Sequence, residues 1–80
     1  MLYIIIADVK CYENGPSVQS YINIQDEGVF WDDESMDVWD EYQRAVRFAE
    51  GLRNNEMALS RTYAEVKNIR IGSIQIMATE

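Results

Sequence analysis

An α+β domain is what this sequence predicts: a small antiparallel sheet of three or four strands with one main amphipathic helix packed on one face. Three observations predict it. Apolar residues alternate in "LYIIIADVKCY" and "VQSYINIQ" near the start and in "IRIGSIQIMA" near the end, which is the period of a half-buried strand. An Asn-Gly pair, Asn14-Gly15, separates the first two stretches, and that dipeptide is the strongest short hairpin signal. Between Val38 and Leu52 the apolar positions recur at three- and four-residue spacing, the pattern of a helix with one buried face.

The first stretch carries Tyr3, Ile5, Ala7, Val9 and Cys11 on one side and Leu2, Ile4 and Ile6 on the other, turning polar at Asp8 and Lys10. That marks a central strand partly covered on its second side, with Cys11 expected as a small buried hydrophobe. The second stretch sets Val18, Ser20, Ile22 and Ile24 against a wet face of Gln19, Tyr21, Asn23 and Gln25. An antiparallel hairpin is the natural reading.

Gly28 is expected in a loop that leads through "VFWDDES" to the helix. Ser35 or Asp33 would cap that helix, with Asp37, Asp40 and Glu41 in its opening turns. Acids early and Arg44, Arg47 and Arg53 late suit the helix dipole, and Asp40 and Arg44 are spaced for an ion pair. Its apolar face is Val38, Tyr42, Ala45, Ala49 and Leu52, and "LRNNE" is where it should stop. Residues 57 to 66 read as a loop entering a strand, with a second short helix as the alternative. Gly72-Ser73 falls where Ile69 and Ile71 give way to Ile74 and Ile76 of opposite parity, the mark of a bulge or bend.

The whole of residues 1–80 forms one domain, since a chain this short supports a single small core. Histidine is absent and Cys11 is alone, so neither a Ser-His-Asp arrangement nor a zinc set is available, and the lone cysteine fits a reducing cytoplasm. There is no phosphate-cradling glycine loop, no dinucleotide fingerprint, no cofactor motif and no apolar run long enough to span a membrane. The start "MLYIII" lacks the basic region of a signal peptide.

Charge is the informative feature. Residues 1 to 43 hold ten acidic side chains and one basic one, whereas residues 44 to 80 hold four acidic and six basic. The net charge of −7 is therefore concentrated, and such a region repels phosphate backbones and attracts basic surfaces. Direct nucleic-acid binding is not expected. Within "DEGVFWDDESMDVWDEY" lie Asp26, Glu27, Asp32, Asp33, Glu34, Asp37, Asp40 and Glu41, with no cation among them. No glycine stands where a calcium loop needs one, and a sheet this small leaves little depth for a catalytic carboxylate pair.

The sequence therefore predicts a non-catalytic, cytoplasmic binding module. Its partner is expected to be a basic protein surface such as the nucleic-acid groove of an enzyme, which the carboxylates would occupy by mimicry, in the manner of inhibitors encoded by phages and mobile elements. Phe30 and Trp31, lying among the acids, are candidate aromatic anchors, against the plainer reading that they plug the end of the core; Trp39 belongs to the core. The partner-binding set is thus Asp26, Glu27, Phe30, Trp31, Asp32, Asp33, Glu34, Asp37, Asp40 and Glu41. The alternative is an accessory subunit that uses an apolar sheet face, its acids merely solvated. One helix covers one face only, so a homodimer is expected to bury the other. A weak divalent-metal site or an enzyme is the residual alternative.

Overall fold

The computed structural model describes residues 1–26 and 28–75. Four strands and one helix are arranged in the order β1 (Leu2–Lys10), β2 (Val18–Gln25), β3 (Gly28–Asp32), α1 (Tyr42–Arg53) and β4 (Glu65–Ile74). The sheet is antiparallel throughout, in the order β3-β2-β1-β4. The isoleucine-rich β1 is central, as expected from its two apolar sides. Its hairpin with β2 runs from Ile6↔Tyr21 to Val9↔Val18 and closes through a turn in which Gly15 N–H donates to the Tyr12 carbonyl at 2.9 Å.

Below Ile6 and Tyr21 the hairpin opens, and residues 37–39 fill the gap. On one side Tyr3 and Trp39 exchange two backbone hydrogen bonds of 2.8 Å. On the other, Asp37 N–H donates to the Ile22 carbonyl at 2.9 Å, and the Asp37 carboxylate accepts from Ile24 N–H. Just before this wedge, Ser35 Oγ accepts from the Asn23 amide. Ile22 belongs to the core beneath α1, so its neighbour Asn23 points to the opposite face. Residues 33–41 thus form a strap that starts on the helix-free face, passes between β1 and β2, and emerges where α1 begins.

This strap corrects the expected helix start. Sheet pairing reaches Trp39, and the N-cap Glu41, two residues on, is still extended and makes no side-chain capping bond. Ser35 and Asp33 cap nothing, and Asp37, Asp40 and Glu41 precede the helix rather than occupying its first turn. Arg44 pairs with Glu41 at 3.2 Å, in place of Asp40. Ala45, Ala49 and Leu52 are buried as expected, whereas Val38 and Tyr42 are exposed. Ala49, small at the contact, lets α1 lie close on Ile5, Ala7, Val9, Ile22 and Trp31, with Leu52 beside it. At its end Asn55 adopts a left-handed φ of 55°. Asn55 N–H reaches the Leu52 carbonyl at 3.3 Å and Glu56 N–H the Gly51 carbonyl at 2.9 Å, the two bonds of a Schellman motif.

Three further expectations change. "GVFWD" is a strand, not a loop, because each residue from Gly28 to Asp32 pairs with β2. The irregularity in β4 lies between the partners of Ile6 and Asp8, at Asn68-Ile69, where Asn68 takes a φ of 57°, a conformation asparagine tolerates better than most. Gly72 instead sits in regular register opposite Ile4; a Cβ there would come within 2.6 Å of Ile6 Cδ1, so isoleucine occupies the space it leaves. Ile76 lies outside the described residues. Cys11, expected inside, is exposed at the end of β1.

The outer edge of β3 is sealed by the loop before β4. Ser60 N–H donates to the Val29 carbonyl at 2.8 Å. The Tyr63 hydroxyl accepts from Trp31 N–H at 2.8 Å and donates to the Trp31 carbonyl at 3.2 Å. Burial pushes the Tyr63 phenol above its usual range, against the opposing effect of the Trp31 backbone bond, so the hydroxyl keeps the proton it donates. Tyr63→Phe removes both bonds from a half-buried edge and is expected to cost about 1–2 kcal/mol, read from the urea midpoint at unchanged slope.

Candidate functional site

The strap distributes the predicted site residues unequally. Asp26 is exposed in the turn from β2 to β3, and Glu27 lies outside the described residues. Phe30 and Trp31 are each only 4% exposed. Both belong inside: Trp31 in the core beneath α1, and Phe30 on the opposite face, with the Arg61 guanidinium 4.2 Å above its ring. The aromatic anchors expected among the acids are therefore not at the surface, because strand pairing of "GVFWD" aims both rings into packed layers. Trp39 packs against the core and lies 5.3 Å from Phe48, ring to ring, as expected.

Two of the acids have structural employment. Asp32 accepts from Ser35 Oγ at 2.7 Å and from Glu34 N–H at 3.2 Å, a local turn of the kind aspartate favours. These bonds, the Ser35 hydroxyl foremost, hold its carboxyl below the usual carboxylate range. Asp37 fastens the wedge through Ile24 N–H. Glu41 is paired with Arg44 on the surface, a contact of a few tenths of a kcal/mol by its kind. Asp33, Glu34 and Asp40 are exposed and form no ion pair among the described residues, the Asp33 carboxyl lying beside that of Asp32.

Carboxylates on β1 and β4 are treated differently. Asp8 lies 2.8 Å from the Asn68 amide and 3.6 Å from Arg70; the Asn68 hydrogen bond first, with Arg70 and Lys67 adding to it, lowers its pKa. Glu65 faces Lys67 at 3.3 Å. Uncompensated negative charge thus tracks the strap. It lies at two places: Asp33 and Glu34 beside Asp32 at the end of β3, and Asp26, Asp37 and Asp40 at the end where β2 turns. The length of β3 between them is about 13 Å.

No family model, curated protein or solved structure matches the chain. Its chemistry therefore rests on its own geometry. Among the described residues no group of three or more Cys, Asp or Glu side chains is arranged to hold a metal ion, and no helix is long and apolar enough to cross a membrane.

Three residues matter to this site that sequence reasoning passed over. Asn23, placed on a wet face by alternation, is buried, because the strap lies over it and Ser35 accepts its amide proton. Arg61 covers Phe30 from a loop that carries no periodic signal. Ser35, expected as a helix cap, is instead the link between Asp32 and Asn23.

Proposed function

We propose that this protein is a non-catalytic, cytoplasmic binding module whose strap presents carboxylates to a basic protein surface, competing there with nucleic acid. One observation carries the reading: Asp33, Glu34 and Asp40 are exposed and form no ion pair among the described residues, and they flank residues 37–39, whose backbone is bonded to β2 at Asp37 and to β1 at Trp39. Charges flanking a fastened segment meet a partner with less loss of chain entropy than charges on a free loop, and their common sign steers association with a basic groove. The same acids repel one another in a small domain, so a stabilising purpose does not explain them.

The test uses the triple variant Asp33→Asn, Glu34→Gln, Asp40→Asn, which breaks no ion pair of the described residues and leaves the Asp32–Ser35 and Asp37–Ile24 bonds in place. Capture from a cell lysate at low salt is expected to yield a basic nucleic-acid-handling protein with the wild-type chain, released by raised salt or by added DNA or RNA. The triple variant is expected to lose it, with an unchanged melting temperature. A partner retained by the variant and indifferent to salt defeats the electrostatic reading. It would favour the helix-free face, where Leu2, Ile6, Tyr21 and Ile74 are only half-buried, as the contact of an accessory subunit or a homodimer.

A further inference from the structure

Asn14 stands exposed at the tip of the β1–β2 hairpin, and its carboxamide makes no hydrogen bond among the described residues. The Gly15 N–H donates to the Tyr12 carbonyl at 2.9 Å, closing a four-residue turn around Glu13 and Asn14. Neither of those two has a positive φ. The turn is therefore of type I, not one of the mirror-image turns that Asn-Gly usually supplies to a hairpin. The Tyr12 ring lies against Gly15, where a Cβ would stand 2.6 Å from Tyr12 Cε2.

Asparagine is chemically labile, most of all before glycine, whose lack of a side chain leaves the attacking nitrogen unhindered. The Gly15 amide nitrogen gives up its proton and bonds to the Asn14 side-chain carbonyl carbon. The side-chain amide nitrogen takes up a proton and leaves as ammonia, and a five-membered succinimide remains. Water then opens one of the two C–N bonds of the ring. One opening gives aspartate. The other gives isoaspartate, whose main chain runs through the side-chain carbon and is longer by a methylene. Ring closure needs the Gly15 nitrogen on the Cβ side of the Asn14 Cα–C bond. The third residue of a type I turn has a ψ of about 0°, which places that nitrogen beside the Asn14 nitrogen instead. The bond to Tyr12 also occupies the proton that has to leave. Both restraints end when the turn opens, and one backbone hydrogen bond and one exposed ring hold it shut.

We propose that Asn14 is a site of spontaneous conversion to aspartate and isoaspartate, at a rate set by the opening of the Tyr12–Gly15 turn. The reaction needs only water. It adds a negative charge at the hairpin tip and leaves residues 33–41 untouched, so it is independent of the acidic binding surface.

The test incubates the whole chain at mildly alkaline pH and follows it by peptide mass mapping, with an isoaspartate-specific methyltransferase to label that product. Asn14 is expected to convert first, with isoaspartate among the products. Asn54, Asn55 and Asn68 are exposed as well but precede residues with side chains, and are expected to lag. In unfolding urea the Asn14 rate is expected to rise by about fivefold, the weight of one lost hydrogen bond. Tyr12→Ala is expected to quicken the folded chain, with its circular dichroism unchanged, and Tyr12→Phe, which keeps the ring, to leave the rate as it is. Conversion of Asn54, Asn55 or Asn68 ahead of Asn14, aspartate without isoaspartate, a folded rate equal to the unfolded one, or a Tyr12→Ala rate equal to wild type each overturns the proposal.

Discussion

Trp31→Ala is expected to remove a third or more of the stability of the domain at room temperature. The indole is almost wholly buried among Ile5, Ala7, Val9, Ile22, Ala49 and Leu52, and cutting such a ring back to a methyl group costs about 3–5 kcal/mol in transfer and cavity terms. A domain of 80 residues has only about 4–12 kcal/mol to lose. The same residue's backbone is the anchor for Tyr63, so a collapse around the missing ring also loosens the seal on β3. Trp31→Phe fills most of the volume and carries no N–H to strand without an acceptor, and is expected to keep well over half of the stability. Urea titration monitored by far-ultraviolet circular dichroism reads both. A Trp31→Ala midpoint close to wild type would show that the core does not depend on this ring.

The second large effect is expected at Gly28. Its φ of 128° belongs to a region that residues with a side chain rarely enter, at a cost of about 1–3 kcal/mol. A Cβ there would also stand 2.9 Å from Ser60 Cβ. Ser60 has little room to retreat, because its N–H is bonded to the Val29 carbonyl. Gly28→Ala is therefore expected to destabilise the domain by about 2–4 kcal/mol. Ser60→Gly in the same chain is expected to return the steric part and leave the backbone part. If the single variant melts within a degree or so of wild type, the tight junction between β3 and the loop is not as described.

Legibility in the sequence varied with the source of the signal. The hairpin, the central β1 and the buried helix positions Ala45, Ala49 and Leu52 were readable, because each arises from a local period or from Asn14-Gly15. The helix start was not. Acids before a periodic run look like first-turn residues, and the contacts of that segment with β1 and β2, Trp39 with Tyr3 and Asp37 with Ile22 and Ile24, come from parts of the chain distant in sequence. β3 was missed since five residues, pressed between acids, give alternation too little length. The burial of Asn23 and Phe30 is likewise a product of what lies over them, the strap and Arg61, and no periodicity along β2 or β3 encodes a neighbour. At the acidic surface, composition showed where the charge was concentrated. It did not show that Asp32 and Asp37 are spent on the strap's own geometry while Asp33, Glu34 and Asp40 face outward.

The passage of the chain between β1 and β2 sets an order on how the molecule is made. An isolated hairpin zips from its turn toward its ends. Here zipping must halt after the rungs from Val9↔Val18 to Ile6↔Tyr21, since further rungs would shut the opening that residues 37–39 have to enter. A fully zipped hairpin would strand α1 on the wrong side of the sheet, a kinetic trap escaped by reopening strands. The unpaired lower half of the hairpin is thus a condition of reaching the native topology.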